Sequence, residues 1–222
     1  MIKAVIFDLD GTLVNTLPDL AFITNTTLTD LGFPKRSEEE VRMFIGNGMK
    51  KLISRALPEG VTLTQDILDL MQANYLKYQN RLSTVYDGVP TMLDELHSRG
   101  IRTAIVTNKP HAAALAVTEK YFGDLIDLTQ GQEAGIPVKP APDTGNIILR
   151  KLNLKPEEAV YAGDSDTDIL TGRNLKMPVL SCTWGFRSES FLAEHGAEYF
   201  VHHPSEIPQA IERIQQQFSA VK

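Results

Sequence analysis

The chain has 222 residues, 42% of them hydrophobic and 23% charged, the balance of an ordinary globular protein with one large domain or a domain plus a smaller insertion. A net charge of −6 argues against a nucleic-acid or membrane-surface binder, because phosphate backbones and anionic lipids are repelled on average. The single cysteine, Cys182, excludes an intramolecular disulfide framework and fits a reducing compartment, where it reads as a small core residue.

The chain opens directly into a strand-like run with no leader pattern, and no stretch approaches the length of a membrane span, so the expectation is a cytoplasmic protein. In chain order, short apolar runs rich in β-branched residues occur at 4–7, 103–106, 125–128, 159–162, 179–182 and 199–201. They are continuous rather than alternating, as in strands buried on both faces of a parallel sheet. Helical spacing lies between the later ones. Val89, Met92, Leu93 and Leu96 form one face, stopped by Gly100; Ala113, Leu115, Ala116 and Tyr121 suggest a second. Ile147, Ile148, Leu149 and Leu152 form a third, and Ile169, Leu170 and Leu175 a fourth. Strand alternating with helix predicts a Rossmann-like open α/β sheet with helices on both faces.

Residues 15–82 break the rhythm. Leu17, Leu20, Ala21, Leu28 and Leu31 share a helical face ended by Gly32, and Ser37 with Glu40 reads as a capping box opening a second helix. Gly46-Asn47-Gly48 interrupts it, residues 49–57 resume, and Thr64 caps a third segment carrying Ile67, Leu70, Met71, Tyr75 and Tyr78. The pattern predicts an inserted α-helical domain at 15–82 within a core made of 1–14 and 83–222.

Ligands of open parallel sheets bind outside the carboxyl ends of the strands. Four such ends carry polar residues here: Asp8 and Asp10, Thr107-Asn108, Lys139 in a proline-rich loop, and Asp164 with Asp168. Carboxylates this crowded repel unless a cation, a proton or solvent relieves them. Three carboxylates, a lysine and a hydroxyl–amide pair brought together suit a divalent metal and a phosphoryl group, and hard oxygen ligands suit Mg²⁺.

The stretches "DLDGTL", "VTNK", "VKPAPD" and "GDSDTD", in this order, resemble the four motifs of the haloacid dehalogenase-like superfamily, and the helical insertion resembles its small α-helical cap. "FIGNG", "TNKP" and "TWGFR" are most similar to the phosphoglycolate phosphatases of that superfamily. The resemblance implies a Mg²⁺-dependent phosphatase of a small phosphorylated metabolite, 2-phosphoglycolate first, acting as a monomer or homodimer. It implies that Asp8 is the nucleophile that becomes an aspartyl phosphate, and that Asp10, protonated at the start, is the general acid and then the base. Thr107, Asn108, Lys139 and the backbone around Leu9 and Asp10 would bind the phosphoryl oxygens, with Lys139 neutralising charge. Asp8, the backbone carbonyl of Asp10 and Asp164 would hold the metal. Asp168 would orient the lysine or a metal-bound water, with Gly11, Thr12 and Ser165 in support, and Gly46, Asn47 and Gly48 would form a cap loop over the substrate. The same motifs are shared by phosphosugar mutases and pyrophosphatases, and a non-catalytic phospho-ligand-binding protein would need a missing catalytic residue, which this chain does not show.

Asn15 departs from the pattern, which often has Asp there. Read alone, each residue has a plainer role: Asp10-Gly11 is a common turn pair, and Asp164, Asp166 and Asp168 suit a helix N-terminus, which is all that is expected of Asp166. His202-His203, with no third ligand at suitable spacing, is expected to be solvated. Arg42, Lys50 and Lys51, which flank the cap loop, are expected to form a solvated basic face.

Overall fold

The computed structural model describes residues 1–220; the last two positions of the expected core segment, 221–222, lie outside the described residues. The chain divides into two compact units, Met1–Leu13 with Val85–Lys222, and Val14–Thr84. Its strands are β1 (Ala4–Phe7), β2 (Val14–Asn15), β3 (Thr84–Val85), β4 (Arg102–Pro110), β5 (Leu128–Gln132), β6 (Ala159–Gly163), β7 (Val179–Cys182) and β8 (Tyr199–Val201). The short β2 and β3 pair with each other, and the other six form one sheet in the order β5-β4-β1-β6-β7-β8.

All pairings in the six-stranded sheet are parallel. β1 lies between β4 and β6, with Val5 opposite Thr103 on one side and Val160 on the other. Its four residues are buried, as the continuous apolar run requires. The chain runs outward from β1 through β4 to β5, then crosses back to β6 and runs the other way. The strand order therefore reverses beside β1 and β6, and the carboxyl ends there open a crevice. Those ends carry Asp8 and Asp164.

The connecting helices are α5 (Val89–Ser98), α6 (His111–Tyr121), α7 (Asp143–Leu152), α8 (Asp166–Asn174), α9 (Glu189–Glu194) and α10 (Ile207–Ala220). On one face, Ile148, Leu149 and Leu152 of α7 pack with Ala4, Ile6, Ala104, Val106 and Tyr161. Two helical faces differ from expectation. Leu115 is 45% exposed and Leu170 44% exposed. Along α6 the inward stripe is instead Ala113, Ala114, Val117 and Thr118, because the Thr118 hydroxyl is satisfied by the Ala114 carbonyl and the Thr129 hydroxyl. The strand expected at 125–128 also lies later. Gly123–Leu125 is a 3₁₀ turn, and the Asp127 carboxylate is used by Arg102 and the Thr103 N–H before β5 begins. β5 is an edge strand with polar residues, which hid it from the apolar pattern.

The unit Val14–Thr84 is helical: α1 (Leu17–Asp30), α2 (Glu38–Phe44), α3 (Gly48–Ala56) and α4 (Gln65–Tyr78). Ser37 and Glu40 form the capping box at α2, and the Thr64 hydroxyl accepts from the Ile67 N–H at α4. Asn15 accepts from the Leu17 N–H at 3.3 Å just ahead of α1, whose N-cap residue is Thr16. Buried Asp19, one turn further on, takes hydrogen bonds from the N–H groups of Arg81, Leu82 and Ser83 and from the Ser83 hydroxyl. Asp19→Ala would leave those donors without this acceptor. It is expected to destabilise the fold by about 1–3 kcal/mol, read as a lower urea midpoint; an unchanged midpoint would show that Asp19 does not anchor this segment.

Candidate active site

The loop after β1 brings Asp8 and Asp10 to the crevice. The Asp8 N–H donates to the Ala162 carbonyl, which continues the β1–β6 ladder and fixes where the Asp8 side chain leaves the sheet. The turn closes with the N–H groups of Thr12 and Leu13 on the Leu9 carbonyl. The Leu9 side chain is fully buried, so any contact it makes with a phosphate is through its backbone. Gly11 has φ +91°, and a Cβ there would sit 2.4 Å from Asp164 Oδ2, so glycine is needed for both conformation and space. Gly185 makes the same room from the other side, where a Cβ would lie 2.3 Å from Asp164 Cβ.

Lys139 is the hub. Its Nζ lies 2.8 Å from Asp8 Oδ1 and 2.8 Å from Asp168 Oδ1, and donates to the Tyr161 hydroxyl at 3.1 Å. Asn108 positions it by a reciprocal clasp: its carbonyl oxygen accepts from the Lys139 N–H at 2.8 Å and its amide donates to the Lys139 carbonyl at 3.2 Å. The Asn108 side chain is thus spent on the lysine loop, and Thr107 Oγ1 accepts from the Lys109 N–H.

Asp164 and Asp168 leave β6 and the start of α8, where Ser165 is the N-cap and Asp166 lies in the first turn. The two carboxylates differ in how fully they are used. Asp168 Oδ2 accepts from the Ser165 N–H and hydroxyl, while Oδ1 meets Lys139 Nζ and lies 3.3 Å from the Tyr161 hydroxyl. An ionised carboxylate has about four acceptor sites, and these partners fill them. Asp164 takes only the Thr12 hydroxyl on Oδ1 and the Phe186 N–H on Oδ2, both at 2.8 Å. It keeps acceptor capacity on each oxygen. Asp8 Oδ1, though close to the lysine, is buried without a well-directed hydrogen bond.

The charges do not balance. Asp8, Asp164 and Asp168 bring ligand atoms within 4.8 Å of one another around one ammonium. Burial, the Asp168 charge and the Asp164 charge push Asp8 well above the usual carboxylate range, against the pull of Lys139. Burial and Asp168 raise Asp164 to about 7. Burial works against the Lys139 charge, but Asp168 and Asp8 outweigh it and hold the ammonium well above its ordinary value. Acceptor sites left open on Asp8 and Asp164, together with the surplus negative charge, fit a divalent cation, which would hold both carboxylates ionised. Asp168, with its oxygens filled, fits the role of orienting Lys139.

Asp10 points away from this cluster, and its Oδ1 lies 2.9 Å from Lys109 Nζ. Lys109, Tyr161 and the Phe186 N–H are site groups that the sequence did not single out; the "TNK" stretch contained the first of them. Buried Cys182 is a core residue, its thiol pushed up by burial. His202 and His203 are exposed and engaged by Thr183 and Ser205. Among the described residues they join no grouping of metal-ligating side chains. In the helical unit, Gly46 and Gly48 have positive φ where α2 gives way to α3, and Asn47 accepts from Arg55 at 2.7 Å. Arg42 pairs with Glu39, and Lys50 and Lys51 are exposed.

With this geometry in place, comparison with known proteins identifies the class. Residues 5–182 match the haloacid dehalogenase-like hydrolase family, and the chain belongs to it. More particularly, the chain is 33% identical over 223 residues to the phosphoglycolate phosphatase of Vibrio parahaemolyticus, covering 95% of this chain and 96% of that one. A crystal structure of a protein from Lactobacillus delbrueckii subsp. bulgaricus superposes with a TM-score of 0.87 at 30% identity, covering 94% of this chain and 98% of the other. CbbY from Rhodobacter sphaeroides, solved in complex with phosphate, superposes with a TM-score of 0.73 at 25% identity over 93% of this chain and 96% of its own. Among the described residues, no helix is long and apolar enough to cross a membrane.

Because Asp164 takes up a proton more readily folded than unfolded, it contributes stability at low pH that is lost as pH rises from about 4 through about 7. In metal-free buffer at pH 8, Asp164→Asn is therefore expected to melt above the wild type, by about 2–4 °C for each kcal/mol relieved, with the gap narrowing toward pH 5. Added Mg²⁺ should raise the wild-type melting temperature and leave the variant's unchanged. A variant that melts lower in the chelator, or that responds equally to Mg²⁺, contradicts this account of the site.

Proposed function

We propose that this hydrolase is a Mg²⁺-dependent phosphomonoester phosphatase that works through an aspartyl phosphate on Asp8, with 2-phosphoglycolate as its substrate. The observation that carries the reading is the unequal use of the three carboxylates around Lys139: Asp8 and Asp164 are left with unfilled acceptor sites and Asp168 is saturated. The name of the Vibrio relative supports the substrate. Asp8, the Asp10 carbonyl and Asp164 would hold Mg²⁺, which supplies positive charge to the nucleophile and the phosphoryl oxygens.

This chain's residues then divide the work. Asp8 attacks phosphorus and forms the acyl phosphate as the ester P–O bond breaks, and Asp10 gives its proton to the departing oxygen. Water next attacks phosphorus, the Asp8–phosphorus bond breaks, and Asp10 takes the proton from that water. Inorganic phosphate leaves and both aspartates return to their starting state. Lys139, fixed by Asn108 and Asp168, opposes negative charge on Asp8 and on the transferring group. Thr107 and the backbone N–H groups of Leu9, Asp10 and Asn108 would receive the phosphoryl oxygens.

The test is phosphate release from a panel containing 2-phosphoglycolate, hexose phosphates, nucleotides and pyrophosphate. 2-Phosphoglycolate is expected to give the highest kcat/KM, activity to vanish in EDTA, and Mg²⁺ to restore it. Asp8→Asn should lower kcat by about 10³-fold or more with the fold intact by circular dichroism. Retained turnover in that variant, or in EDTA, would overturn the mechanism, and preference for pyrophosphate or a hexose phosphate would overturn the substrate.

A further inference from the structure

Lys109 takes no part in the chemistry above, yet it sits beside it. Thr103–Lys109 of β4 are buried in an unbroken run, as in a strand covered on both faces of a parallel sheet. Near its end the pairing with β5 is irregular: Val106 lies opposite Gln130 and Pro110 opposite Gln132, so four steps along β4 match two along β5. Such a bulge re-aims side chains at the rim of a sheet. Here it sends three successive residues to three places. Thr107 turns its hydroxyl to the Lys109 N–H, Asn108 clasps the Lys139 backbone, and Lys109 reaches Asp10.

The Lys109–Asp10 pair is asymmetric in burial, with the lysine side chain 4% exposed and the aspartate 17%. Withdrawing an ammonium from water is expensive, and a lysine is not needed to hold a partly solvated carboxylate in place. What the arrangement does accomplish is to fix a cation against the one side chain that must face the leaving oxygen. In 2-phosphoglycolate the carboxylate is a single methylene away from that oxygen. A group in contact with Asp10 is therefore within reach of the substrate's second negative charge.

We propose that Lys109 is a specificity-determining residue: its ammonium receives the carboxylate of the substrate's leaving group, next to the acid that protonates the same group. The inference rests on the proposed phosphoglycolate reading and deepens it, since the phosphate half of the site is indifferent to what the ester carries. A cation held beside the leaving group favours a phosphomonoester with an anionic tail over one of equal length with a neutral tail.

The experiment compares kcat and KM for 2-phosphoglycolate and for 2-hydroxyethyl phosphate, which has the same length and phosphate but no charge on the tail. Wild type is expected to prefer 2-phosphoglycolate by about tenfold or more in kcat/KM. A wild type without preference overturns the substrate reading before any variant is made. In Lys109→Gln the preference should fall by about tenfold or more, chiefly through KM for 2-phosphoglycolate. Equal losses on both substrates would mean that Lys109 acts only by holding Asp10, and the inference fails while the phosphatase reading stands. Lys109→Arg, which keeps the cation, decides the matter if the glutamine variant does not fold: a retained preference for 2-phosphoglycolate supports the inference and a lost one overturns it.

Discussion

Three buried carboxylates share one buried ammonium, and this imbalance is what the surrounding structure is built to hold. Burial and the neighbouring Asp168 charge raise the hold of Asp8 and Asp164 on protons, and Lys139 relieves only part of it. The strand order puts Asp8 and Asp164 at neighbouring strand ends, where the parallel sheet reverses direction. Gly11 and Gly185 leave the space that lets the Asp164 carboxylate sit between them. Asn108 clamps the backbone of the lysine so that its head cannot retreat from the cluster. Buried like charges of this kind are costly without a counter-charge, and the cluster fits a cation.

Within the cluster, identical side chains are given different work by what surrounds them. Asp168 has both oxygens engaged by Ser165, Tyr161 and Lys139, which suits it to orient the lysine. Asp164 is held by a single donor on each oxygen, which aims it without exhausting it. Asp8, at the end of β1, has its Oδ1 paired with Lys139. Asp10, inside the turn after β1, is paired with a cation of its own, Lys109. Lys139, in the loop before α7, and Lys109, near the end of β4, thereby stand against different aspartates.

Much of this was legible in the sequence because the chemistry sits at strand ends. β1 and β6 are short continuous apolar runs that stop abruptly at aspartates, and the parallel topology follows from strands alternating with helices. The helical insertion announced itself by its caps, Ser37 with Glu40 and then Thr64. What escaped depends on tertiary placement. β5 was displaced by several residues because an edge strand needs no apolar alternation. Leu115 and Leu170 face outward because small or polar neighbours fit the sheet more closely. Lys109 was invisible because a pairing irregularity between two strands, absent from either strand's own sequence, turns it inward. Tyr161 read as one more strand residue, although a buried hydroxyl requires partners, and it found them in Lys139 and Asp168. Asn15, odd against the family pattern, makes a local bond to the Leu17 N–H at the start of α1.

The central claim is that Asp8 is the atom donor to phosphorus, and trapping the covalent state tests it most directly. Rapid acid quench of Asp10→Asn with Mg²⁺ and 2-phosphoglycolate, followed by intact-mass and peptide mass spectrometry, should show one added phosphoryl group on the peptide containing Asp8, removable by hydroxylamine. Asp8→Asn in the same background should show none. Stoichiometric phosphate release with no such adduct, or an adduct on a residue other than Asp8, would contradict the account.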